Sequence, residues 1–274
     1  MDFSISEEDR LLQSSVRDFV EEQLNSRWRE IEETKVIPDA IIGQARELGL
    51  LGLSIPTQYG GLGLSVVQKA IVHEMLGRGP WGLSSYISVH TGIGCVGIVR
   101  FGSETQKSKY LPKMATGEWI GSFALTEPNA GSDAGAMQTS AVRKGDEWIL
   151  NGTKTFITNA PKAHHFMVFA RSDKGICAFL VDRECPGVRI GQVFKTIGHV
   201  GSSPAEVVME DCRIPADALV GEEGKGFEYA KRCLSEGRTT LGARCVGTAQ
   251  KAMELALEYA AERKTFGKPL SEHQ

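Results

Sequence analysis

Apolar positions recur at helical spacing through the first 120 residues. Leu12, Val16, Phe19 and Leu24 follow Ser6-Glu-Glu-Asp9, which reads as a helix-opening capping box. Pro38 opens a second helix that runs through Leu48 and stops at Gly49. Tyr59-Gly-Gly-Leu-Gly63 reads as a loop. Ser65 to Gly77 and Ser84 to Phe101 predict further helices, and Ser103-Glu-Thr-Gln106 caps another that leads into Tyr110-Leu-Pro-Lys.

From Trp119 the period shortens. β-rich runs at Ile120–Leu125, Thr139–Lys144, Trp148–Leu150, Thr155–Thr158, Phe166–Ala170, Ile176–Val181, Val188–Ile190 and Ala205–Met209 alternate with turns. Gly145-Asp146 and Asn151-Gly152 are hairpin-type turn signals, and strands at this spacing predict a small barrel or sandwich. After Gly224-Lys-Gly226 the helical period returns. Val246, Ala249, Met253, Ala256, Leu257 and Ala260 form an apolar stripe, with Lys251, Glu254, Glu258 and Glu262 opposite. The reading is an α+β chain in three parts: helical over 1–120, β over 121–223, and the start of a second helical region over 224–274.

The 274 residues are enough for one large or two smaller cored domains. A net charge of −3 makes no electrostatic case for nucleic acid or an anionic membrane. No run approaches the ~20 apolar residues that span a bilayer. The N-terminus is acidic and lacks the apolar core of a signal peptide. Cys95, Cys177, Cys185, Cys212, Cys233 and Cys245 are scattered, so they read as reduced thiols rather than as disulfides or a zinc site. His164-His165 has no companion ligands, and no metal is expected.

Two β segments carry the candidate chemistry. Phe123-Ala-Leu-Thr-Glu-Pro-Asn-Ala-Gly-Ser-Asp133 places a strand before a turn rich in hydroxyls, Pro and Gly, which presents N–H groups and short side chains to something above the strand end. Trp148-Ile-Leu-Asn-Gly-Thr-Lys-Thr-Phe-Ile-Thr-Asn159 reads as a strand pair turned at Asn151-Gly152 and ending in another threonine. Thr126 and Thr158 at two strand ends suit a planar, polar-edged ligand such as a flavin.

These two segments, followed by Glu262-Arg-Lys-Thr-Phe-Gly-Lys268 and the closing His273-Gln274, resemble the acyl-CoA dehydrogenase family in order and spacing, over essentially the whole chain. The resemblance implies an N-terminal helical domain, a middle β domain and a C-terminal helical bundle of which this chain has the beginning. It implies FAD, oxidation of an acyl-CoA thioester to a trans-2-enoyl-CoA, electrons passed to an electron-transfer flavoprotein, and a homo-oligomer, dimer or tetramer. An acyl-CoA oxidase, a flavin monooxygenase and a non-catalytic homologue remain as alternatives. The compartment it implies is the bacterial cytoplasm or, for a mature chain, the mitochondrial matrix.

Residue by residue, the resemblance places Phe123, Leu125, Thr126, Gly131, Ser132, Phe156, Ile157 and Thr158 at the FAD, with Thr126 near the pyrimidine edge and Thr158 near N5. Phe156 stands where many members carry Trp, keeping the aromatic face without the indole donor. Ser132, Ser235 and Arg238 fall on the substrate side, and a guanidinium suits CoA phosphate. The alternative for Ser132 is a turn-capping serine, and for Arg238 a solvated helical arginine. Arg263, Thr265, Phe266 and Gln274 resemble contacts made to the FAD of a neighbouring subunit. No catalytic base is identified. Most members supply a late Glu, expected beyond Gln274, and a minority place it where this chain has Gly237. Glu236, about 100° further round a helix, does not inherit the role.

Overall fold

The computed structural model describes residues 4–273. Among the described residues seven α-helices come first: α1 (Glu7–Phe19), α2 (Trp28–Thr34), α3 (Asp39–Glu47), α4 (Val66–Leu76), α5 (Trp81–Thr91), α6 (Ile93–Phe101) and α7 (Glu104–Ala115). Complete capping boxes open α4 and α7, where Ser65 pairs with Gln68 and Ser103 with Gln106. At α1 only half a box forms. Ser6 Oγ accepts the Asp9 N–H, but Asp9 Oδ1 is buried without a partner. The predicted Ser84–Phe101 helix starts three residues earlier and is two helices, broken at Gly92 (φ −93°, ψ −106°). Taken together, this stretch, Trp81–Phe101, is apolar enough by length and composition alone to pass for a membrane span, a test that the core helices of a soluble protein also pass. Its most apolar window is 72% buried inside the protein, as expected of core helices.

The strands are β1 (Gly121–Ala124), β2 (Ser140–Lys144), β3 (Glu147–Ile157), β4 (His165–Ser172), β5 (Gly175–Asp182), β6 (Val188–Val193) and β7 (Ala205–Pro215). They form one seven-stranded sheet in the order β1-β4-β2-β3-β7-β6, with β5 on the other edge of β4. The expected middle β domain is thus built as one curled, mixed sheet. β1 runs parallel to the first half of β4, and β2 takes over the same edge at Ser140 opposite Arg171. The chain between them leaves the sheet just where β1 ends. β4 and β5 are buried on both faces and read as continuous apolar runs. Phe166, Val168 and Phe179 face the core inside the sheet, while Met167, Phe169 and Leu180 face the helices α6 and α7.

Asn151-Gly152 is not a hairpin turn. β3 passes through it, pairing with β7 on both sides, and the register shifts between Leu150 and Gly152. Gly152 has φ +153°, and a Cβ there would lie 2.4 Å from Thr139 Oγ1, so only glycine makes this bulge. Asn151 exchanges hydrogen bonds across it with Asp211 at 3.2 and 2.8 Å. A second shift follows between Lys154 and Ile157. The Gly145-Asp146 turn does join β2 to β3.

α8 (Gly226–Glu262) is 37 residues long. It ends in a small hairpin of β8 (Lys264–Thr265) and β9 (Lys268–Pro269). Helices α4 and α8 meet at backbone distance, because a Cβ on Gly247 would lie 1.8 Å from Glu74 O and one on Gly77 would lie 2.1 Å from Arg244 O.

Candidate functional site

The end of β1 and the end of β3 meet at a cavity of about 160 Å³. Phe123, Leu125 and Thr126 come from the first, and Phe156, Ile157 and Thr158 from the second. All six were singled out in the sequence. The opposite wall is apolar, with Val89 of α5, Ile93 of α6 and Leu234 of α8. Nothing in the sequence marked these three, since a Val, Ile or Leu on a helix face reads as core until the fold shows what it faces.

The strand ends are tied together. Thr155 N–H donates to Thr126 O at 2.9 Å, and Ser122 Oγ donates to Thr158 O at 2.8 Å. Asn159 Nδ2 donates to Tyr86 O at 3.0 Å, anchoring the segment to α5. With their carbonyls occupied, the half-buried Thr126 and Thr158 have hydroxyls with no partner among the described residues, at the wall of the cavity. Phe156 has φ +57°, a conformation a bulky residue adopts only when its surroundings impose it. The second bulge of β3 imposes it here and turns the ring outward, 61% exposed and 4.7 Å from Phe194.

Beneath the rim lies a buried ion pair that the sequence reading missed. Lys154 Nζ donates to Glu127 Oε1 at 2.8 Å and to Leu125 O at 3.1 Å. Glu127 also accepts the N–H groups of Gln138 (2.6 Å) and Thr139 (2.9 Å). Burial pushes the Lys154 amine down to about 8 against the pull of Glu127. Burial acts to raise the Glu127 carboxyl, but the bonds from Gln138, Lys154 and Thr139 hold it below its ordinary value.

The other expected site residues are not at this cavity. Gly131 and Ser132 are exposed in the loop after β1, and a Cβ on Gly131 would meet nothing within 4 Å, so no close approach inside this chain requires glycine there. Ser235 and Arg238 are exposed on α8. Arg238 shares the face of Leu234 one turn along, about 6 Å away on the helix axis. Arg263 caps the end of α8, and Thr265 and Phe266 belong to the β8–β9 hairpin that follows, with Phe266 99% exposed at its tip. Gln274 lies outside the described residues.

Glu236 faces away from the cavity. It lines a separate small cavity with Lys69 and His73, and its Oε1 accepts from Lys69 Nζ (3.3 Å) and Arg100 Nη2 (3.0 Å). Among the described residues no Asp, Glu or His lines the Thr126–Thr158 cavity. Among the described residues no group of three His, Cys, Asp or Glu could hold a metal ion, and all six cysteines are free.

Family models for the N-terminal, middle and C-terminal domains of acyl-CoA dehydrogenase match residues 6–118, 122–212 and 224–274. Acryloyl-CoA reductase (NADH) of Anaerotignum propionicum is 39% identical over 281 residues, spanning 100% of this chain and 71% of that protein. Butyryl-CoA dehydrogenase of Megasphaera elsdenii superposes with a TM-score of 0.95 at 34% identity, covering 100% of this chain and 74% of its own. Glutaryl-CoA dehydrogenase of Mycobacterium smegmatis, solved in complex with FADH2, superposes with a TM-score of 0.94 at 34% identity, covering 98% and 69%.

Proposed function

The chain belongs to the acyl-CoA dehydrogenase family, and on that premise we propose that it binds FAD at the Thr126–Thr158 cavity and oxidises an acyl-CoA to the trans-2-enoyl-CoA. The carrying observation is the meeting of two unpartnered threonine hydroxyls, from separate strand ends, opposite an apolar helical wall. FAD supplies the two-electron acceptor. Thr126 and Thr158 offer hydroxyls to the polar edge of such a ring, and Phe156 offers an aromatic face. Val89, Ile93 and Leu234 form an apolar surface suited to an acyl chain and exclude water from it. Arg238, one turn along α8 from Leu234, is free to meet CoA phosphate. The carboxylate that removes the α-proton comes from residues other than those lining this cavity. Ser132 and the 263–266 hairpin act on this reading at the outer parts of the ligands, the hairpin across a subunit interface, with an electron-transfer flavoprotein taking the electrons.

The experiment is an anaerobic titration of the FAD-loaded protein with butyryl-CoA. Bleaching of the flavin band with formation of enoyl-CoA is expected. A protein that stays colourless after reconstitution with FAD overturns the reading. The likeness to an acryloyl-CoA reductase favours a second reading, the same site working from enoyl-CoA to acyl-CoA. Reoxidation of the reduced flavin by crotonyl-CoA, compared with bleaching by butyryl-CoA, shows which direction the site favours.

A further inference from the structure

The Lys154–Glu127 pair brackets Thr126. Its amine holds the carbonyl of the residue before Thr126 and the carboxylate of the residue after it. Glu127 in turn fixes the amides of Gln138 and Thr139, where the chain returns to the sheet at β2. One residue beyond Lys154, Thr155 N–H holds Thr126 O. The loop that leaves the sheet after β1 is thus tied at both ends to β3, the strand that carries Thr158.

Stability alone does not account for a charged pair here. The Lys154 side chain is 0% exposed and that of Glu127 6%. Desolvating two charges costs several kcal/mol each, and apolar residues of similar volume often serve a core as well or better. What the pair adds is direction: from β3, its bonds reach named backbone atoms on two other segments, Leu125 O at the end of β1 and the amides of Gln138 and Thr139, whereas an apolar contact would leave them free to slide.

We propose that Lys154 and Glu127 are positioning residues for the cofactor site, setting the Thr126 edge at a fixed spacing from the Thr158 edge so that both hydroxyls meet one planar ligand. The proposal rests on the FAD reading above. It reaches past the residues that touch the cavity to the pair that aligns them.

The test uses Lys154→Met, Glu127→Gln and the double variant, with two readouts: the thermal midpoint without FAD, and the FAD dissociation constant from quenching of flavin fluorescence. Each single variant leaves a buried group without its partner, so the thermal midpoint falls and the FAD dissociation constant rises. The double variant removes both charges and recovers stability, but methionine cannot donate to Leu125 O. FAD affinity therefore stays down roughly ten- to a hundred-fold, the scale of one charge-assisted hydrogen bond. Recovery of the parental affinity together with stability overturns the proposal, because the pair would then be structural only. If the double variant does not fold, Lys154→Gln decides. It is uncharged and too short to span both acceptors, and parental FAD affinity there overturns the proposal. Hydrogen exchange at the Thr155 amide reads the same geometry without cofactor. Faster exchange in the variants, with the β3–β7 ladder still protected, supports the proposal, and unchanged exchange defeats it. A parent protein that binds no FAD refutes the cofactor reading, and the exchange experiment still judges the pair.

Discussion

At the ends of β1 and β3 the charged groups are buried and paired, and the groups left without partners are two hydroxyls facing a cavity. Along the second half of α8 the arrangement is inverted. Its polar residues turn inward: Arg244 donates to Ser84 and Ser85, Thr248 Oγ1 bonds Gly77 O (2.6 Å), Lys251 meets Glu21 (2.9 Å) and Glu254 meets Arg78 (3.0 Å). Val246, Met253, Leu255, Leu257 and Tyr259 face outward, each at least 50% exposed. The difference teaches that an apolar stripe identifies which face of a helix seeks cover, and not which face touches its own chain. The contact with α4 is made by glycines at backbone distance, which leaves no room for large apolar side chains and lets polar ones bridge at the flanks.

Acid should act on both regions and have the largest effect. His90 and His165 stand behind β1, and His73 sits among the helices beside α8. Burial pushes them down to about 4, about 3 and about 3, respectively. All three are neutral in the folded protein at pH 7, while their unfolded counterparts titrate near 6.5. Below pH 6.5 the unfolded chain binds more protons, so the stability present above that value is lost as pH falls toward 4. Each histidine contributes about 1.4 kcal/mol per pH unit over that window. Urea denaturation at pH 7.0, 6.0 and 5.0 should show the fall, and a flat profile would mean that these side chains reach water. Hydrogen exchange at pH 5 compares the regions, since amides of β1 report His90 and His165 and those of α4 report His73.

The α4–α8 contact comes next. Gly247→Leu forces a side chain into Glu74 O and should cost roughly 1–3 kcal/mol as an overpacking change. Denaturant midpoints are the measurement, and FAD affinity should change less than stability, because the rim is held by β-sheet contacts instead. A variant that loses FAD while keeping its midpoint would show that α8 sets the rim as well.

Local signals were legible where one residue dictates one geometry. Ser65 with Gln68 and Ser103 with Gln106 each declare a helix start, and Gly49 and Gly145 declare their ends and turns. Thr126 and Thr158 were legible as partners because both stand at strand ends. Asn151-Gly152 misled because a bulge and a turn ask for the same residues, and only pairing with β7, some sixty residues away, decides between them. Helix α2 went unread, being short and bearing one buried residue, Ile31. Lys154 looked like an ordinary strand lysine, since its partner lies 27 residues back across a loop. Ser132 and Arg238 came from the resemblance, and this chain leaves both exposed.

At the rim, Thr158→Val should reduce the rate of flavin reduction more than it weakens FAD binding. The loss expected is about three- to ten-fold, the scale of one neutral hydrogen bond. Stopped-flow bleaching with butyryl-CoA set against the fluorescence dissociation constant separates the two effects. Equal reduction rates in variant and parent would remove Thr158 from its assigned role and leave Thr126 as the working hydroxyl.

The smallest effect belongs on the outward face of α8. Leu257 is 63% exposed and Met253 59%, so neither buries much area against its own chain. Leu257→Glu and Met253→Gln should therefore change the unfolding free energy by no more than about 0.5 kcal/mol in this 274-residue chain, as surface substitutions do. A glutamate beside Glu254 and Glu258 adds only screened repulsion. The inward face predicts otherwise. Glu254→Leu removes one of the two carboxylate partners of Arg78, whose side chain is only 10% exposed, leaving Glu21 alone, and should cost more than either outward change despite adding apolar surface. If Leu257→Glu proves the costlier of the two, the outward face is covered in solution by a second copy of the chain. Sedimentation of parent and variant would then show a dimer that dissociates, and the contrast between rim and helix would vanish in the assembly.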